Sequence, residues 1–167
     1  MSKKVTRPVD LVLEEYSRFH SNSKNQLLQY FSIPLILFGL LGIIWAIPFP
    51  HLSFIEKYNG FVNWASFVIA FSIYYYYRLS PVLSYGILLF VFALSAGIVT
   101  LEKLARIDNW PPMETVCFFI FIFGGVLQYI GYKAEGKFPG ANQSLKNLLN
   151  SPLWLIFIIF KKVGLKV

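Results

Sequence analysis

The chain has 167 residues, of which 56% are hydrophobic and only 14% charged, and its mean hydropathy is positive. Soluble domains carry about a quarter charged residues, so this composition excludes an ordinary soluble domain and points to the membrane class. The formal net charge of +7 does not signal nucleic acid, because the basic residues flank apolar stretches and form no stripe with interleaved aromatics.

The first twenty residues carry Asp10, Glu14 and Glu15 and lack an apolar stretch, so no signal peptide is expected. Within them, "RPVDLVLEEYSRFHS" puts Val12, Tyr16 and Phe19 on one helical face with His20 alongside, predicting a short amphipathic helix on the membrane surface. Four apolar stretches follow, at about 27–47, 60–77, 81–100 and 114–132. Each has close to the roughly 20 residues that cross a bilayer, and helices are favoured because a helix satisfies its own backbone in lipid. Pro34, two turns into the first, is placed to kink it. The short links "PFPHLSFIEKYN", "RLS" and "LEKLARIDNWPP" make successive helices antiparallel neighbours. "YYYY" at 74–77, followed by Arg78, reads as an interfacial belt. The lone Cys117 has no partner for an internal disulfide and reads as a small packed side chain. Near the end, "SPLWLIFIIFKK" has too few apolar residues to cross and predicts a short interfacial or re-entrant helix, with Lys161 and Lys162 at the headgroups.

The fold expected is therefore an all-α integral membrane bundle of four transmembrane helices, with an N-terminal amphipathic helix and a short C-terminal interfacial helix. One domain covers 1–167: a cytosolic amphipathic segment to residue 26, a bundle over 27–132 and a cytosolic or interfacial tail over 133–167. With four spans, one side receives the five Lys/Arg before residue 27, Arg78 and the six beyond residue 132, leaving only Lys57, Lys103 and Arg106 for the other. The positive-inside rule then puts both termini in the cytosol.

This topology brings the mouth of the first span, with His20, Asn25 and Gln29, to the same side as the end of the fourth, "LQYIGYKAEGKFPGA". On a helix Gln128, Tyr132 and Glu135 share a face, and Gly131 admits a close neighbour. Polar groups at membrane depth are costly, so a shared polar cavity is the working hypothesis.

The order Tyr16-x3-His20-x4-Asn25-x3-Gln29, then Pro34, resembles the first motif of a small membrane family. That family includes the yeast 2-hydroxy fatty acid dioxygenase of phytosphingosine degradation. Its second motif is matched by Gln128, Gly131, Glu135 and Pro139. The resemblance implies an iron(II)-dependent dioxygenase of fatty acid alpha-oxidation acting on a 2-hydroxy fatty acid. It further implies His20 and Glu135 as catalytic and metal-binding residues, and Tyr16, Asn25, Gln29, Gln128, Gly131 and Tyr132 as lining the cavity. Membrane lipid or fatty acid is the implied partner.

Gln29 and Tyr132 stand where the family carries motif histidines, and Ser32 and Gly140 also depart from the pattern. The chain has two histidines, His20 and His51, and His51 lies in a loop expected on the opposite side. A second reading is therefore a non-catalytic relative that has lost the metal and serves as a lipid-binding or assembly scaffold. Structural roles stand beside the functional ones. Asn25 suits a helix N-cap, Glu135 an ion pair with Lys133 or Lys137, and Gln29, Gln128 and Tyr132 interhelical hydrogen bonds. Homo-oligomerisation stays open.

Overall fold

The computed structural model describes residues 7–50, 62–107 and 110–165. The described residues form six helices: α1 Pro8–Ser17, α2 Ser23–Ala46, α3 Trp64–Leu79, α4 Pro81–Ala105, α5 Met113–Glu135 and α6 Ala141–Lys162. Three of them, α2, α4 and α5, are long and apolar enough to cross a membrane. The fourth expected span, α3, has 16 residues, about 24 Å of helix.

The helix ends follow from local chemistry. Asn22 caps α2, its side chain accepting from Lys24 N at 2.9 Å. Asn63 and Ser66 cap α3 reciprocally, with both bonds at 3.0 Å. Ser80 alone separates α3 from α4. The residue before a proline is pushed out of helical geometry, so Ser80 is extended ahead of Pro81, ends α3 and accepts from Leu83 N to cap α4. Gly136, at φ 70°, closes α5 by donating to the Tyr132 and Lys133 carbonyls.

The most extensive packing joins α2 and α5, which run antiparallel along a seam of small residues. A Cβ at Gly39 would stand 2.6 Å from the Cys117 carbonyl oxygen, and one at Gly124 would stand 2.9 Å from the Ile36 nitrogen. The two backbones therefore touch, as small residues allow in lipid. Cys117 is fully buried in this seam against Gly42, consistent with a packed side chain.

The two flanking segments differ from the sequence reading. The buried face of α1 is Val9, Leu13 and Tyr16, and it packs on α6 inside the protein; Val12 and Phe19 are only half-buried. The C-terminal helix is 22 residues long, and Asn150–Ile156 are buried all round it. It is therefore a core element, not a short surface one. Pro152 cannot donate to the Leu148 carbonyl four residues back, and the Ser151 hydroxyl takes that acceptor at 2.9 Å. Tyr76 donates to the neighbouring Leu149 carbonyl at 2.6 Å and Tyr75 to Asn150 Oδ1 at 3.2 Å, tying α3 to α6. The polar first half, "ANQSLKNLLN", hides this helix from a hydropathy reading because its buried amides are satisfied by hydrogen bonds.

Candidate functional site

The link between α1 and α2 lies against the last turn of α5. Glu135, ending α5, accepts from the backbone N–H of Ser21 at 3.0 Å on one carboxylate oxygen. Its other oxygen accepts from Asn22 N at 2.8 Å and from Asn25 Nδ2 at 3.1 Å. Donors that the start of α2 leaves without an intrahelical partner are thus met by a carboxylate more than a hundred residues away, where an anion also suits the helix dipole. Asn22 Nδ2 returns a bond to the Ala134 carbonyl at 3.3 Å.

Inward from this carboxylate runs a chain of amides. Asn25 donates to the Phe19 carbonyl at 2.8 Å and accepts from Gln29 Nε2 at 3.1 Å. Gln29 Oε1 accepts from the Tyr16 hydroxyl at 3.3 Å and, more weakly, from Ser32 Oγ at 3.4 Å. All four of Tyr16, Asn25, Gln29 and Ser32 are buried. Gly131 makes room for the chain, since a Cβ there would collide with Asn25 Oδ1.

His20 is 1% exposed. Its ring stacks on Tyr16 with centroids 4.1 Å apart, and Tyr132 and Trp154 lie at 5.5 and 6.0 Å. Nδ1 is 2.8 Å from the Tyr16 carbonyl oxygen; because a carbonyl only accepts, Nδ1 carries the proton. Nε2 is then a bare lone pair, and it is the one buried side-chain nitrogen or oxygen among the described residues with no hydrogen-bond partner. Burial lowers the His20 pKa from its ordinary value, with the Tyr16 carbonyl and the Glu135 charge working the other way, so the ring is neutral near pH 7. Burial likewise pushes the Tyr16 phenol well above its usual range, so it stays a donor.

Seven of the eight residues singled out from the sequence meet here: Tyr16, His20, Asn25, Gln29, Gly131, Tyr132 and Glu135. Gln128 does not; it lines a separate groove between α5 and α6. The structural alternatives also shift. Asn22, not Asn25, is the N-cap, and Glu135 binds N–H groups and not Lys133 or Lys137, while Lys137 reaches the Arg18 carbonyl at 3.5 Å. Residues the sequence reading passed over include Ser21, Asn22, Trp154 and Asn147, the last donating a long 3.5 Å bond to the Tyr132 hydroxyl. Asn147 and Trp154 are seven apart on one face of α6, a spacing that would have found them once α6 was drawn at full length.

No protein-family model, curated protein or solved structure matches the chain. The iron implied by the resemblance has to be tested on the donors present, and they do not fit it. Non-haem iron(II) wants two imidazoles and a carboxylate on one face with positions left open. Here one imidazole is present, both carboxylate oxygens already accept N–H bonds, and the Gln29 amide is satisfied at both ends. Among the described residues no group of three His, Cys, Asp or Glu side chains converges, and His51 lies outside those residues.

Proposed function

We propose that this chain is a four-span membrane protein, both termini cytosolic, in which the polar cluster is a structural clasp and the bundle is a lipid-binding scaffold. The observation that carries the clasp is Glu135: its carboxylate is occupied by three N–H donors of the α1–α2 link and the first turn of α2. A group so engaged is a fastening and not an open ligand or base.

The span count draws support from the same contact. The start of α2 and the end of α5 are hydrogen-bonded, so they lie on one side of the membrane, and an even number of crossings must separate them. If α2, α4 and α5 cross, a crossing α3 makes that number even. Its short length is accommodated by local thinning, at a fraction of a kcal/mol per Å. The split of basic residues then favours cytosolic termini. External cysteine labelling should reach Ser53→Cys and miss Ser2→Cys; the reverse pattern contradicts the orientation.

A second reading, an iron(II)-dependent dioxygenase acting on a 2-hydroxy fatty acid with a reduced ligand set, draws on one observation. The buried, unpartnered Nε2 of His20, with Nδ1–H held by a carbonyl, has the arrangement of a ligating imidazole. Iron per chain on anaerobically purified protein separates the two. Substoichiometric iron unchanged in His20→Ala supports the scaffold; full loading abolished by that substitution supports the dioxygenase.

A further inference from the structure

Hydrogen bonds gather the first turn of α2 and the last turns of α3 and α5 at one end of the bundle. Glu135 ties α5 to α2 there. Asn147 of α6 reaches Tyr132 of α5, and Leu149 and Asn150 accept from Tyr76 and Tyr75 of α3. The described carboxylates of this end are all engaged: Asp10 by Arg7, Glu14 by Arg18, Glu15 by Lys146 and Glu135 by N–H groups. Lys24, Arg78 and Lys133, at the ends of α2, α3 and α5, are exposed and have no carboxylate partner among the described residues.

Each of these cations heads a stripe of exposed apolar side chains, because residues three or four and seven apart share a helical face. Lys24 is followed by Leu27 and Phe31 on α2. Arg78 is preceded by Tyr74 and Phe71 on α3, and Lys133 by Ile130 and Val126 on α5. Each stripe runs about 10 Å from its cation toward the middle of the helix. At the opposite end of α5 the sign reverses, since the exposed Phe118 is headed by Glu114. An acidic protein would meet the three charges and leave the stripes below them uncovered. A phospholipid of net negative charge matches both parts, its phosphate at the cation and an acyl chain along the stripe.

We propose that α2, α3 and α5 each hold an anionic phospholipid of the surrounding leaflet, headed by Lys24, Arg78 and Lys133 respectively. The proposal rests on the reading of the chain as a lipid-binding membrane protein and adds the charge class of the lipid and the places where it sits.

The test is made helix by helix. The full-length protein is reconstituted in phosphatidylcholine vesicles holding a trace of phosphatidylglycerol or of phosphatidylcholine, each bearing the same photoreactive acyl chain. Labelled residues are mapped by mass spectrometry. At Phe31, Phe71 and Val126 we expect about five-fold more label from the phosphatidylglycerol probe, the worth of one cation beside an anionic headgroup. At Phe118 we expect no such excess. Arg78→Gln should abolish the excess at Phe71 and leave it at Phe31 and Val126, and Lys133→Gln gives the same test at Val126. Lys24→Arg, which keeps the charge, should keep the excess at Phe31. Equal labelling by the two probes at all four residues would overturn the proposal while leaving lipid contact intact. An excess that survives both Arg78→Gln at Phe71 and Lys133→Gln at Val126 would overturn it as well, because the preference would not come from these cations. Absence of label from every helix would overturn the lipid-binding reading itself.

Discussion

The two halves of this bundle are assembled differently. Between α2 and α5 the backbones touch along Gly39 and Gly124, and a chain of buried amides and a carboxylate locks one end. Between α2 and α4 the closest glycine, Gly97, meets the Phe38 ring and not a neighbouring backbone, and a narrow cleft bordered by Leu37, Leu41, Ile69, Ser72 and Val91 remains between α2, α3 and α4. Lipid tails are as apolar as leucine, so side-chain burial alone does little to hold helices together in a membrane. Close backbone approach and satisfied polar groups do more, and both are concentrated at α2–α5. That pair is the most closely packed part of the molecule, and α3 and α4 pack beside it and on α6.

Substitutions that break the seam should have the largest effect. Gly39→Leu and Gly124→Leu force atoms into a neighbouring backbone that cannot yield, and we expect each to lose at least about 3 kcal/mol or fail to fold. Thermal unfolding in detergent measures this, with Gly125→Leu as the control that should behave like the parent. If the two seam variants unfold with the parent, the close-packed seam is not what holds the pair together.

Next comes the clasp. Glu135→Gln removes the charge from three N–H contacts and sets an amide N–H against one of them, for an expected loss of about 2 kcal/mol. Tyr16→Phe removes one neutral hydrogen bond, and Gln29 Oε1 keeps Ser32, so about 1 kcal/mol is expected. Both should exceed Ser72→Ala in the cleft between α2, α3 and α4, which should stay within about 0.5 kcal/mol of the parent.

How legible was this in the sequence? The meeting of Tyr16, His20, Asn25 and Gln29 with Gly131, Tyr132 and Glu135 follows from helical spacing plus topology, both of which sequence carries. What those groups do to one another was not legible. Whether Glu135 binds a lysine, a metal or backbone N–H groups depends on the last ångström of the α1–α2 link. Hydropathy makes α6 too short because it treats Asn147 and Asn150 as surface, while the fold buries both. Spacing alone picks Val12, Tyr16 and Phe19 as the apolar face of α1 where the fold buries Val9, Leu13 and Tyr16, because amphipathicity says that a face is buried, not what buries it. Gln128 left the cluster because α6, at full length, forms a second wall alongside α5.

A smaller effect concerns pH. His20 has a folded-state pKa below its ordinary 6.5, so the unfolded chain takes a proton that the folded chain resists. Its stabilising contribution is complete above about pH 6.5 and is lost as the pH falls below that value. Unfolding midpoints between pH 7.5 and 5 should decline in the parent and decline less in His20→Phe; equal slopes would mean that His20 titrates freely.

The claim that the cluster is a clasp and not a metal centre is tested most directly by the stability difference between the parent and Glu135→Gln, measured with and without a strong iron chelator. A fastening built from N–H bonds predicts the same difference, about 2 kcal/mol, in both conditions, and a parent whose unfolding ignores the chelator. A parent destabilised by chelation to the level of Glu135→Gln, with the difference between them abolished, would contradict it.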